Sequence, residues 1–322
     1  MIKENYYAKI LLFGEYGIIL DSMALTVPFT HFHGELSFGG RFSKYKYTDY
    51  DFAQNSNTLI SDYADHLQQL QDSGRLNVRI DLGSLKKDLE QGLYFESSIP
   101  QGYGLGSSGA LVAAIYDRYV RDKIIPEKNM GEDLILELKK LFSLMESYFH
   151  GRSSGIDPLN AYIKYPLLFR SSISVRMVEI PQKKFRSGTA IFLISSGEPG
   201  KTEPLVNLFL RNTSKKEFNQ LITERFIPLN NLCIENLILA EMGQFFMHLR
   251  ELSEFQIRNF NEMIPAHVRP VWEHGLEDDS FTVKLCGSGG GGYFLGFTRN
   301  FPVVRQYLKA KNIDYVTVYK GP

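Results

Sequence analysis

The chain lacks any excess of charge: its 322 residues hold 36 Lys plus Arg and 36 Asp plus Glu. Nucleic-acid binders carry a basic excess or a basic stripe, and this sequence has neither. Its longest basic cluster, Lys183, Lys184 and Arg186, reads as a solvated turn. The same balance argues against an acidic polymer or an anionic membrane as partner. Cysteine is nearly missing. Cys233 and Cys286 are too few for a disulfide framework or a zinc site, and both stand in apolar runs. Buried free thiols suit a reducing cytosol. No apolar run reaches the length that spans a bilayer. Residues Met1 to Leu12 include Lys3, Glu4, Asn5 and Lys9, so the apolar stretch of a signal peptide is lacking and the expected location is cytoplasmic. The seven histidines offer no pair at metal-ligand helical spacing; His31 and His33 alternate along a strand. Internal repeats and low-complexity tracts are also wanting, which excludes solenoids and repeat arrays.

What is present is an ordinary globular composition, 43% hydrophobic and 22% charged, over a length that suits two domains. Strand patterns cover residues 6–13, 24–30, 76–82, 94–99, 165–180, 189–195, 281–286, 292–298 and 313–319, with hairpin strands and loops over 33–52. Helical spacing covers 58–71, 107–121, 131–149, 203–212, 215–250 and 253–264, and residues 181–188 read as a connector. This mixed order, without regular alternation of strand and helix, predicts an α+β fold.

Two glycine-rich loops stand out. In the first, Pro100 to Ala110, Gly102, Gly104 and Gly106 alternate with other residues, and Ser107 and Ser108 open a helix. Glycine allows positive φ and close backbone approach. The helix start adds unpaired N–H groups and the positive end of a dipole, which together make an anion site suited to phosphate. A plain turn with a serine N-cap needs far less glycine. The second loop, Gly287-Ser288-Gly289-Gly290-Gly291-Gly292, has the spacing G-x-G-x-x-G, but a strand pattern follows where a dinucleotide fingerprint needs a helix. It reads as a close approach of backbone to a ligand or to the first loop, or as a hairpin. A third segment, Ser195 to Thr202, resembles a P-loop but has Ser195 where the first glycine must stand.

Phosphoryl transfer needs cradled phosphates, a bridging metal and a group that orients or deprotonates the nucleophile. Glu146 near the end of the 131–149 helix and Asp157 after Gly155-Ile156 are the candidate carboxylates. Magnesium binds through one or two protein oxygens plus phosphates and water, so one helical carboxylate and one loop serine suffice. Each of these residues alone has a blander reading: Glu146 as a solvated helix position, Asp157 as a cap, Lys9 as an edge lysine and His150 as a helix-end cation.

Taken in order, Ala8 to Tyr16, Pro100 to Ala110 and Lys284 to Gly292 resemble the three motif blocks of the GHMP small-molecule kinases, and span most of the chain. Within that family His150 to Asp157 is similar to the mevalonate kinase segment. The resemblance implies ATP and Mg2+ as cofactors and phosphorylation of a small-molecule hydroxyl, most simply that of mevalonate. It implies Asp157 and Lys9 as catalytic residues and Gly102, Gly104, Leu105, Gly106, Ser107 and Ser108 around the ATP phosphates. Ser108 and Glu146 would hold the metal, and Lys9, Glu15, Tyr16, Thr202, Gly287 and Ser288 the substrate. It further implies a ribosomal-protein-S5-like nucleotide-binding domain over residues 1–185 and a ferredoxin-like domain over 186–322. The partners would be the alcohol and ATP, with no nucleic acid or membrane, and a homodimer left open.

The match has departures. Tyr16 stands where a histidine is common, Gln101 replaces a usual second proline, Ser288 replaces a usual alanine, and no arginine sits just ahead of Thr202. These bear on the substrate, so a sugar, a sugar phosphate or phosphomevalonate is the alternative within the family. A non-catalytic nucleotide-binding regulator and a P-loop NTPase are the readings from other classes.

Overall fold

A computed structural model describes residues 4–38 and 47–321. The chain forms two compact units. The first comprises Met1–Lys9, Pro28–Pro100 and Leu105–Tyr165; the second comprises Ile10–Val27, Gln101–Gly104 and Pro166–Pro322. The boundary expected at 185/186 falls inside the second unit.

Strands β1 (Tyr6–Phe13) and β2 (Ala24–Phe38) are each divided between the units. The first unit then holds α1 (Tyr47–Asp72), α2 (Leu82–Glu90), β3 (Leu93–Ser97), α3 (Ser107–Tyr119), α4 (Glu132–His150) and α5 (Ile156–Ile163). The antiparallel register Gly34↔Ser97 to Phe38↔Leu93 joins β2 to β3. Helix α3 forms the centre of this unit. Ala110, Val112, Ala113, Ala114 and Ile115 are buried, and Tyr116 meets Phe142 of α4 and Tyr162 of α5 edge-on, both at 5.0 Å. Small residues along one helix let its neighbours come close, and the aromatics fill the space beyond them.

Two expectations change here. The alternation over 76–82 is not a strand; only an isolated bridge, Ile80↔Val120, survives. Asp81 accepts from the Ser84 N–H at 3.0 Å and so caps α2, a local side-chain bond that outcompetes a strand ladder. Of the hairpin expected over 33–52, β2 runs on to Phe38 and α1 begins at Tyr47; positions 39–46 lie outside the described residues.

The second unit contains β4 (Leu167–Ser171), β5 (Ser174–Met177), β6 (Ala190–Ser195), α6 (Thr202–Thr213), α7 (Lys216–Leu221), α8 (Ile227–Leu239), α9 (Met242–Asn259), α10 (Arg269–Glu277), β7 (Thr282–Leu285), β8 (Tyr293–Thr298), α11 (Phe301–Ala310) and β9 (Tyr315–Lys320). The N-terminal end of β2 pairs antiparallel with β4, which pairs with β5. The other sheet has the order β7-β8-β6-β9, antiparallel throughout. Strand β6, then helices, β7, β8, α11 and β9 in that order make the split β-α-β arrangement of a ferredoxin-like domain. The fold is thus α+β as expected.

β7 ends this sheet, and α9 lies along it. Ser253 donates to the Val283 carbonyl at 2.6 Å, and Gln256 accepts from the Leu285 N–H at 2.9 Å. These side chains stand in for the missing neighbouring strand. The Trp272 indole N–H donates to the same Ser253 hydroxyl at 2.7 Å and ties α10 to the row.

The single helix expected over 215–250 is broken. A π-helical turn, Ile222–Phe226, separates α7 from α8, and Ala240 at φ +61° ends α8 with its N–H returned to Asn236 and Leu237 carbonyls. That C-terminal closure normally announces itself through glycine; alanine hides it. Helices α10 and α11 were not anticipated, each starting with a proline in its first turn. No helix among the described residues is long and apolar enough to cross a membrane.

Candidate active site

In the first unit, Lys9 points from β1 with its Nζ 2.8 Å from Asp157 Oδ1; the two side chains are 10% and 31% exposed. The Lys9 backbone N–H donates to the Leu105 carbonyl at 2.9 Å, so β1 also carries the turn that leads into α3. Asp157 lies in the first turn of α5, where the helix dipole favours a carboxylate. Two glycines let the start of α3 reach it. A Cβ on Gly106, which has φ +76°, would stand 3.1 Å from Asp157 Oδ2, and one on Gly109 would stand 2.6 Å from the Pro158 nitrogen. Any larger residue at 109 would push α3 off the acid.

No side chain caps α3, whose first residues are Ser107 and Ser108. Uncapped N–H groups at a helix start are the anion-binding device expected from the glycine loop. Ser108 donates to Glu146 Oε1 at 3.2 Å, and Ser153 donates to Glu146 Oε2. The His150 ring nitrogen Nε2 lies 3.0 Å from the same Ser108 hydroxyl. Glu146 is 3% exposed. Burial raises its pKa from 4.5 to about 7, with the nearby Asp157 charge as the second cause.

A raised carboxylate beside another acid is a place where a cation restores the charge that burial suppresses. Ser108 Oγ and Glu146 Oε1 supply two oxygens side by side. Among the described residues no group of three or more His, Cys, Asp or Glu could hold a metal unaided. The oxygen pair of Ser108 and Glu146 fits magnesium, which takes few protein oxygens and completes its shell with phosphate and water.

The remaining expected residues belong to the second unit. Gly102 gives its carbonyl to the Gly200 N–H at 2.8 Å, and a Cβ on Gly104 would stand 3.6 Å from the Cys286 carbonyl oxygen. The glycine run read as one loop is thus divided, Gly102 and Gly104 in this unit and Leu105 to Ser108 in the other. Glu15 is fully buried and paired with Lys284, whose Nζ also donates to the Leu285 carbonyl at 2.6 Å and lies 5.0 Å from the Phe13 ring. Tyr16, 4% exposed, donates from its phenol to the Ser288 carbonyl at 2.5 Å. Its ring packs 4.7 Å from Phe209 and 5.6 Å from Phe260. Burial, then the Glu15 charge, pushes the phenol pKa well up, so it remains a donor. The Ser288 hydroxyl donates to Thr202 Oγ1 at 3.2 Å, at the first residue of α6, and Gly287 precedes it at φ +93°. In this way Tyr16, Ser288 and Thr202 form one connected group.

The segment that resembles a P-loop joins β6 to α6 and binds glycine loops through its backbone. The Ser196 N–H donates to the Gly292 carbonyl at 2.9 Å, and the Gly292 N–H to the Glu198 carbonyl at 2.7 Å.

Sequence reasoning gave no role to Ser153 or Lys284, and read His150 as a helix-end cation. Lys284 had a usable signal: a lysine inside the apolar strand Phe281 to Cys286 needs a buried partner. Ser153 had only its place between the two carboxylates.

Residues 75–163 match the family described as GHMP kinases N terminal domain. A curated relative, the mevalonate kinase of Archaeoglobus fulgidus, is 23% identical over 290 residues, covering 89% of each chain. The structure of Methanococcus jannaschii mevalonate kinase matches with a TM-score of 0.65 at 16% identity, over 100% of this chain and 98% of that one. L. major mevalonate kinase, solved in complex with R-mevalonate, matches with a TM-score of 0.64 at 16% identity, over 99% and 96%. Residues 75–163 thus match the GHMP kinase N-terminal domain, and the chain has the α+β fold of the solved mevalonate kinases.

Proposed function

We propose that this chain is an ATP-dependent kinase that phosphorylates the primary hydroxyl of mevalonate, releasing 5-phosphomevalonate and ADP. The Lys9–Asp157 pair at 2.8 Å, beside the uncapped start of α3, carries the reading. Asp157 takes the proton of the alcohol as its oxygen attacks the terminal phosphorus, and passes it to solvent afterwards. Lys9 fixes the direction of that carboxylate and offsets charge on the attacking oxygen. Backbone N–H groups at the start of α3 receive phosphate oxygens. Ser108 and Glu146 would hold magnesium, which when bound would offset the charge on the phosphate oxygens. In the second unit Thr202, Ser288 and Gly287 face the substrate, while Glu15 and Tyr16 shape the loop that presents them. The partners on this reading are ATP and the alcohol, in the cytosol.

The mevalonate kinases named above favour mevalonate as acceptor. A different alcohol within the same family is the second reading. Tyr16 motivates it, because its phenol is committed to the Ser288 carbonyl where a histidine is usual. A coupled ADP-release assay over mevalonate, phosphomevalonate and galactose separates the two. Mevalonate is expected to give the highest kcat/KM. No turnover of mevalonate beside good turnover of galactose would assign the chain to the second reading.

A further inference from the structure

Glu146 has a serine on each of its oxygens, and only one of them, Ser108, belongs to the magnesium set above. The other, Ser153, lies between the two carboxylates in sequence and bonds both Glu146 and the backbone that leads into α5. Its hydroxyl has one proton, which goes to Glu146 Oε2. Its Oγ accepts the Gly155 N–H at 3.0 Å, and Gly155 is the N-cap of α5, the helix that carries Asp157 in its first turn. The Ser153 carbonyl in turn accepts from the Ser143 hydroxyl at 2.6 Å. Ser143 lies three residues before Glu146 on α4, so both face the same side of that helix. Ser153 is therefore gripped twice by α4 and once by the start of α5.

A carboxylate held by one hydroxyl can rotate about its last torsion; one held on both oxygens cannot. With Oε2 taken by Ser153, Oε1 stays on the Ser108 side. We propose that Ser153 is a positioning residue that locks the Glu146 carboxylate so that Oε1 and Ser108 Oγ are preset as a pair for a divalent cation. The inference rests on the kinase reading above, and adds a residue that touches neither metal nor substrate. Hydrogen bonds from outside a metal's own ligands commonly set ligand orientation in this way.

The test compares Ser153→Thr, which keeps the hydroxyl, with Ser153→Val, which has nearly the same shape without it; Ser153→Ala is a third variant. Binding of Mn2+ to the protein–ADP complex, followed by the electron paramagnetic resonance of free Mn2+, reads the site without turnover. Ser153→Thr is expected to bind within about threefold of the parent chain, and Ser153→Val and Ser153→Ala about 10–100-fold more weakly. In assays the half-saturating Mg2+ should rise in step for the valine variant, while kcat at saturating Mg2+ stays within about threefold. That split would not arise from general loosening of the fold. Equal Mn2+ affinity for the threonine and valine variants overturns the inference alone. A parent chain that binds no Mn2+ with ADP overturns the kinase reading as well.

Discussion

Two of the chain's lysine–carboxylate pairs have opposite character. Lys9–Asp157 in the first unit is partly open to solvent, its acid 31% exposed. Lys284–Glu15 in the second is sealed, with neither side chain exposed. An acid that must meet an incoming alcohol needs an open face, and the first pair has one. A pair without any face to solvent can act only on its surroundings: it joins the Gly14-Glu15-Tyr16 turn to β7, next to the second glycine loop. On the proposed mechanism, burial and not the kind of residue separates the reacting pair from the holding pair.

The largest effect should come from the open pair. Asp157→Asn keeps size and removes the base, and kcat is expected to fall by about 100–10,000-fold, with ATP affinity and melting temperature nearly unchanged. Retention of more than about a tenth of kcat, a barrier change of under about 1.4 kcal/mol, would remove Asp157 from the chemistry. The sealed pair should respond in stability instead. Lys284→Met strands a buried carboxylate and is expected to cost about 3–5 kcal/mol in urea unfolding. Replacing both partners, with Glu15→Gln added, should recover much of that loss. If Lys284→Met left the unfolding midpoint in place, the two pairs would not differ as argued.

Glu146 sharpens the comparison, being buried yet lacking a lysine bonded to its carboxylate. Its pKa in the fold, about 7, lies above the ordinary 4.5. The folded chain therefore binds more protons than the unfolded chain between those values, and stability falls as pH rises through them. In the absence of divalent ions, Glu146→Gln should raise stability by about 1–3 kcal/mol at pH 8 and leave it unchanged at pH 4, as followed by thermal melts at the two pH values. A gain of equal size at both would show that charge is not the cause. The smallest effect is expected at Tyr16. Tyr16→Phe deletes the bond to Ser288, worth about 1 kcal/mol, and should raise KM for the alcohol about two- to fivefold while kcat holds. An unaltered KM would separate Tyr16 from the substrate side.

Much of this was readable from residues alone, and the limits have physical causes. The glycine-serine turn and the Glu146 to Asp157 spacing were legible because phosphate and metal chemistry constrain residue type and order. The first glycine loop, however, was read as one unit, since no local pattern tells that Gly102 bonds Gly200 and that Gly104 lies near Cys286, far away in sequence. The bonds of Glu15 to Lys284 and of Tyr16 to the Ser288 carbonyl were not legible because these partners are about 270 positions distant. The break at Ala240 was hidden because an alanine occupies a conformation that usually selects glycine. The strand read over 76–82 failed because one aspartate, Asp81, turned the end of an alternating run into a helix cap.

The edge of β7 carries a consequence for handling the protein. Ser253 and Gln256 occupy hydrogen-bonding groups that would otherwise recruit a strand from another molecule. Loss of α9 would bare the edge of the short strand Thr282–Leu285 as a template for cross-chain pairing. Truncations or proline insertions between Met242 and Asn259 should therefore reach the insoluble fraction, and failures of expression in such variants would report a lost edge guard rather than a damaged kinase centre.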